Sequence, residues 1–187
     1  MSVAAGICVA NIYYNQPVLR DIALDFNVTE SSAGIISVLA QAGYGTGLFF
    51  ITPLGDRLNR KKLILLLMAL LVVVLAGTTF VHNFIVMCVF SLLTGILSVA
   101  AQVILPMAAS LDKKNRGRTV GIIFTGILVG ILAARVFSGF IAGSLGWRYV
   151  YGISSLMVTG AGLMVNASLP DVAPAFTGSY FSLIKST

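Results

Sequence analysis

Polar and charged residues in this 187-residue chain gather in a few short clusters, and the stretches between them are almost uninterrupted apolar runs. The runs cover 2–19, 33–54, 63–80, 84–111, 119–144 and 149–169. A helix needs roughly 20 residues to cross about 30 Å of hydrocarbon, and each run is close to that length. Backbone polar groups in lipid must be satisfied within the segment, so each run predicts one membrane-spanning helix. The predicted fold is all-α and polytopic, with six transmembrane helices in one bundle over 1–169. The fourth run is long enough to tilt or protrude. The first is short and starts almost at Met1, as expected if its opening turn is missing or the chain is truncated there. It has no basic leader, and Asn11, Asn15 and Gln16 interrupt it, so it does not read as a cleaved signal peptide. The segment 170–187, with Pro170, Pro174, Gly178 and several Ser and Thr, reads as a cytoplasmic linker or an amphipathic surface tail.

Composition agrees: 58% of residues are hydrophobic and only 10% charged, too few charges to cover a soluble domain of this size. The net charge of +6 does not point to nucleic acid, because no basic stripe alternates with aromatics. Instead the basic residues set topology. Arg57, Arg60, Lys61 and Lys62 follow the second run; Lys113, Lys114, Arg116 and Arg118 follow the fourth. The opposite side holds only Arg20 and Arg148, beside Asp21, Asp25 and Glu30. The positive-inside bias puts the two basic loops, and hence both termini, in the cytoplasm. Trp147, Tyr149 and Tyr151 then sit at the outer edge of the sixth span as expected interfacial anchors. Cys8 and Cys88 lie inside apolar runs and read as small core thiols, not as a disulfide or metal pair. No nucleophile–base–acid set and no metal-ligand spacing is present, so neither an enzyme nor a cofactor is expected.

Small residues recur. Gly43 and Gly47, Gly126 and Gly130, and Gly139 and Gly143 each form a GxxxG pair that lets helices approach closely in lipid. Leu54-Gly55-Asp56-Arg57 and Leu145-Gly146-Trp147-Arg148 hint at a repeat relating spans one to three to spans four to six, in opposite orientation. Chance is a competing explanation for so short a match.

The segment TPLGDRLNRKKL (52–63) carries Asp56, Arg57, Arg60 and Lys61 between two spans. It resembles the signature loop of the major facilitator superfamily, roughly G-x-L-a-D-R-x-G-R-K, with Thr52 and Asn59 at the two glycine places. NIYYNQP (11–17), VAAQVILPMAASL (99–111) and ARVFSGFIAGSLGWRY (134–149) are similar to bacterial, efflux-like members of that family. The resemblance covers nearly the whole chain but only six of the family's twelve helices. It implies an N-terminal half-bundle with a 3+3 inverted repeat, in a bacterial inner membrane, moving a small solute by alternating access. It also implies that Asp56, Arg57, Arg60 and Lys61 form a gate against the other half, a plain topology-setting loop being the alternative. Partners would be the lipid bilayer, an unidentified small-molecule substrate, and a C-terminal six-helix half or a second copy. The competing expectation is a truncated fragment that does not transport.

Polar faces give a candidate pathway. Asn11, Tyr14 and Asn15 share a face of span one, with Gln16 beside them; Ser37, Gln41 and Tyr44 share one on span two. Ser91, Thr94, Ser98 and Gln102 line span four. Such faces avoid lipid, as walls of a polar cavity or as interhelical hydrogen bonds. Arg135 is the one charge deep inside a span, so it either faces the pathway or snorkels to the outer surface. The candidate pathway residues are Asn11, Asn15, Gln16, Gln41, Gln102 and Arg135. Two features of proton-coupled relatives are missing: Ser91 replaces an arginine, and Gly130 is not followed by a Pro-Gly-rich stretch.

Overall fold

A computed structural model describes residues 1–111 and 114–169, with Asp56 as backbone alone. Among these the chain forms α1 Ser2–Ala10, α2 Asn15–Asp25, α3 Glu30–Phe50, α4 Leu54–Arg57, α5 Arg60–Thr79, α6 Phe84–Ser98, α7 Ala100–Leu111, α8 Arg116–Leu145 and α9 Trp147–Ser168. Five segments are long and apolar enough to cross a membrane: α3, α5, α6 with α7, α8 and α9.

The first passage differs from the expected 2–19. It is a longer helical segment interrupted between Ala10 and Asn15. Helical winding persists there, but it tightens: Ile12 N donates to Val9 O at 3.1 Å and Tyr13 N to Ala10 O at 3.0 Å. These i→i−3 bonds are the 3₁₀ pattern. Pro17, in the first turn of α2, has no N–H to extend a regular ladder back through the break. The fourth passage is also broken, at Val99, where Ser98 Oγ donates to Thr94 O at 2.7 Å and Gln102 N turns back to Val99 O at 2.8 Å.

The ends have local causes. Asn27, at φ 53°, closes α2; its N–H donates to Leu24 O at 3.2 Å and that of Val28 to Ala23 O at 2.9 Å. This is a Schellman motif on a residue that tolerates the left-handed region. Thr29 then caps α3 by accepting from Ser32 N at 3.1 Å. Asn83 caps α6, accepting from Ile85 N at 2.8 Å. Gly146, at φ 103°, is the single residue between α8 and α9, a backbone conformation that a side chain would strain.

The most extensive helix pairings are α3 with α6, α1 with α8 and α5 with α9. Exchanging passages one to three with four to six leaves this set of pairings unchanged, and the two broken passages are equivalent under that exchange. The short Leu-Gly-x-Arg match does not mark equivalent backbone: Gly55 lies inside α4, whereas Gly146 links two helices at positive φ. Two crossings are set by glycine. A Cβ on Gly43 or Gly95 would strike the backbone of the facing helix, at the carbonyls of Leu92 and Ala40. Gly126 and Gly130 likewise meet Ser2 and Gly6 of α1. Gly139 and Gly143 make no such crossing.

The outer anchors are only partly as expected. Tyr149 is exposed, but Trp147 and Tyr151 are 5% and 4% exposed and belong to the core. Trp147 stacks edge-on with Tyr151 at 6.0 Å and near Phe26 at 5.8 Å, which draws its ring inward. Arg148 covers this cluster. Its guanidinium lies 4.4 Å from the Trp147 ring centre, 2.7 Å from Asp25 Oδ2 and 3.0 Å from Val81 O. It thus ties α2 and the α5–α6 turn to α9. The pair is partly exposed, so the ionic part is discounted for screening. Arg148→Ala is expected to cost about 1–2 kcal/mol, chiefly the carbonyl bond and ring stacking. Thermal unfolding in detergent checks this, and Arg148→Lys should recover less than half, because a point charge cannot both stack and reach two acceptors.

Candidate functional site: an open polar face

The break in the first passage divides its polar side chains. On the inward side, the Asn11 amide Nδ2 donates to Ile7 O at 2.8 Å, and its Oδ1 accepts from Ser154 Oγ of α9 at 2.6 Å. Asn15 Oδ1 accepts from Ser37 Oγ of α3 at 3.1 Å. Both asparagines are at most 3% exposed. In α6, Ser91, Thr94 and Ser98 also turn inward and are buried; Ser91 Oγ donates to Met87 O at 2.8 Å. With Thr78 and Tyr151, Asn11, Asn15, Ser91 and Thr94 line a small cavity inside the bundle. For Asn11 and Asn15 the geometry is therefore that of interhelical hydrogen bonding, which keeps amides from lipid without exposing them to a pathway.

Tyr13 and Gln16 are half-buried and do not line this cavity. Arg135 of α8 places its guanidinium 5.9 Å from the centre of the Tyr13 ring, within cation–π reach. Gln102 Nε2 donates to Tyr44 Oη at 2.7 Å, joining α7 to α3. Gln41 is exposed one turn before Tyr44, and Gln16 is half-buried one turn after Tyr13. Arg135 is also exposed, ten residues before the end of α8. At 1.5 Å per residue that is about 15 Å from the helix end, on a 30-residue helix that is itself longer than the roughly 30 Å of hydrocarbon it crosses. Arg135 and Gln102 thus each meet a tyrosine, and Gln16 and Gln41 lie one turn from those same tyrosines, so the four belong to one candidate polar face. It offers amide donors and acceptors, two phenols and one cation, which suits a polar or anionic solute. Pro106, inside α7, has no N–H for the Gln102 carbonyl, so helix geometry loosens on this same wall.

The charged turn between α3 and α5 is built as a brace. Arg60 Nε donates to Gly55 O at 3.0 Å, tying the start of α5 to α4. Asn59, at a place where glycine was the reference, instead caps α5 by accepting from Lys62 N at 3.2 Å. Arg57 is exposed and Lys61 half-buried. The side chain of Asp56, residues Asp112 and Lys113, and the segment 170–187 lie outside the described residues.

Sequence reasoning passed over Tyr13, which carries the Arg135 contact, and Ser154 and Thr78, which with the misplaced anchor Tyr151 complete the interior. For Tyr13 a signal existed: it lies three residues before Gln16 and seven before Arg20, a polar stripe opposite the asparagines.

Fold and face together define a polytopic helical membrane protein whose bundle leaves one polar side open. The family model described as Major Facilitator Superfamily matches residues 1–179, and the chain belongs to that family. It is 39% identical, over its whole length, to the "Uncharacterized transporter YgaY" of Escherichia coli O157:H7, covering 49% of that protein. It is 29% identical over 91% of its length to the "Probable transporter SCO4007" of Streptomyces coelicolor, covering 40%. The "Uncharacterized MFS-type transporter YfhI" of Bacillus subtilis is 25% identical over 90% of the chain, which covers 44% of it. The chain spans about half the length of these relatives or less.

Proposed function

We propose that this chain is the N-terminal six-helix half of a secondary transporter, and that its open face forms one wall of a solute pathway. The observation that carries the reading is the two contacts Arg135–Tyr13 and Gln102–Tyr44, made by side chains that the bundle does not bury. Amides and a cation at that depth are costly against lipid, so a second bundle or water covers them. Relatives about twice as long supply the rationale for a second six-helix unit, in the same polypeptide or another. The solute would bind near the midplane between two halves that rock about it. Gln16, Gln41, Gln102 and Arg135 would contact it, and Asn11 and Asn15 would hold the wall rigid from behind. Asp56, Arg57, Arg60 and Lys61 would form the gate at the cytoplasmic mouth. Both termini would be cytoplasmic in a bacterial inner membrane, and the efflux-like resemblance makes export the first direction to assay.

Cysteine accessibility tests the wall. With Cys8 and Cys88 replaced, Gln41→Cys and Gln102→Cys should react with a water-soluble maleimide in membranes, whereas Leu66→Cys on the exposed apolar face of α5 should not. Equal protection of all three would remove the pathway. The half-length match also favours a second reading, an inert fragment that inserts and packs. Reactive pathway cysteines with no solute flux, even when a companion half is co-expressed, would select it.

A further inference from the structure

The α5–α9 pair does not close along its whole length. A groove of about 370 Å³ opens between them, lined by Leu65, Met68 and Val72 of α5 and by Val158, Gly162 and Asn166 of α9. It forms because Ala69 and Gly162 are too small to fill the crossing; Met68 Cε lies 3.8 Å from where a Cβ on Gly162 would stand. The lining is apolar but for Asn166 and for Thr159, whose hydroxyl is already donated to Ser155 O within α9. Positions 65, 68, 69 and 72 make one stripe of α5. Continued one turn back, that stripe reaches Lys61 and Lys62, four and three residues before Leu65. Two lysines are therefore rooted about 5–6 Å of helical rise beyond the mouth of the slot, at the positive end of a helix dipole. An apolar slot with a cationic rim complements one kind of molecule present in every bacterial membrane at that depth: a lipid whose tail is apolar and whose headgroup is an anion.

We propose that the α5–α9 groove binds one anionic phospholipid, its acyl chain between Ala69 and Gly162 and its phosphate on Lys61 and Lys62. The acyl slot lies on a different pair of helices from the polar face, while Lys61 also belongs to the proposed gate, so a bound lipid would bias the bundle at that loop. The inference rests on the proposed membrane topology only for the leaflet, which is the inner one if the basic loops are cytoplasmic.

The full chain, purified in mild detergent, would be titrated with phosphatidylglycerol or phosphatidylethanolamine of identical tails, and bound lipid counted by native mass spectrometry. One phosphatidylglycerol should be retained, with phosphatidylethanolamine about tenfold weaker or more. The Lys61→Gln/Lys62→Gln double variant should erase that preference while keeping the fold, since neither ammonium is in the core. Ala69→Phe, and independently Gly162→Leu, should plug the slot and abolish retention with both lysines intact. Equal retention of the two lipids by the unsubstituted chain, or undiminished phosphatidylglycerol on the folded plugged variants, overturns the proposal. Displacement of the lipid by inorganic phosphate at millimolar concentration would also overturn it, because it would show an anion site with no role for the tail. Membrane-impermeant amine labelling of Lys61 in sealed vesicles is a separate readout: outward-facing Lys61 would refute the topology and leave the lipid result standing.

Discussion

Gly95→Leu is expected to prevent the bundle from assembling, with a loss of about 3 kcal/mol or more and little monodisperse protein recovered. Any Cβ at Gly95 falls on the Ala40 carbonyl and within 2.8 Å of Tyr44 N, so what it meets is helix backbone and not a side chain that can rotate. Relief requires moving α3 away from α6. That would undo the close contact at Gly43 and Gly47, and it would also pull Tyr44 from Gln102. In lipid there is no hydrophobic force to hold separated helices together, so lost backbone contact is not offset elsewhere. Gly34→Ala is the control. An added Cβ there meets nothing within 4 Å, and alanine favours helix over glycine by up to about 1 kcal/mol, so this variant should be neutral or slightly more stable. The single tryptophan, Trp147, is buried and reports unfolding by its fluorescence. Indistinguishable melting of the two variants would show that the α3–α6 crossing is not a rigid contact.

How much of this was legible before the structure follows from which interactions are local. Membrane passages are written in runs of apolar residues, so the passages from Glu30 onward match their predicted runs within a few residues. The cap at Thr29 and the positive-φ residue Gly146 also depend on side chains within a turn of their sites. Asn11 and Gln16 were harder. Both lie on a helix broken over 11–14, and a 3.6-residue period stops predicting direction where the winding tightens to i→i−3. One asparagine therefore faces Ser154 inside, while the neighbouring glutamine faces out. The four-residue face on span four fails for a related reason: the break at Val99 separates Ser91, Thr94 and Ser98, which stay inside, from Gln102, which does not. Partner choice across the bundle, such as Arg148 for Asp25, depends on which helices pair, and no local pattern carries that.

Arg135→Ala should reduce solute flux by about a hundredfold while leaving the melting temperature of the bundle unchanged. The stability half follows from exposure. Arg135 contributes one ring contact at 5.9 Å, and its neighbour Ala134, not Arg135 itself, is the residue buried against the other helices. The flux half follows from depth and charge. A guanidinium kept within a membrane-spanning helix is expensive, and one retained there is offset by something it meets during function. An anionic solute seated between Arg135, Gln102 and Gln41 would supply that, with charge-assisted bonds worth about 1.5–3 kcal/mol, a factor of roughly 10 to 150 in affinity. Tyr13→Leu separates two roles for the stacked ring. If Tyr13 only orients the guanidinium, flux should fall several-fold and recover at higher solute concentration; if its hydroxyl also binds solute, Tyr13→Phe should show the same loss. Arg135→Lys keeps the charge and weakens the planar stacking, so it should be intermediate. The assay requires the complete transporter reconstituted in proteoliposomes. Full flux from Arg135→Ala there would remove this residue from the pathway, and a lowered melting temperature with proportional loss of flux would make its role one of packing.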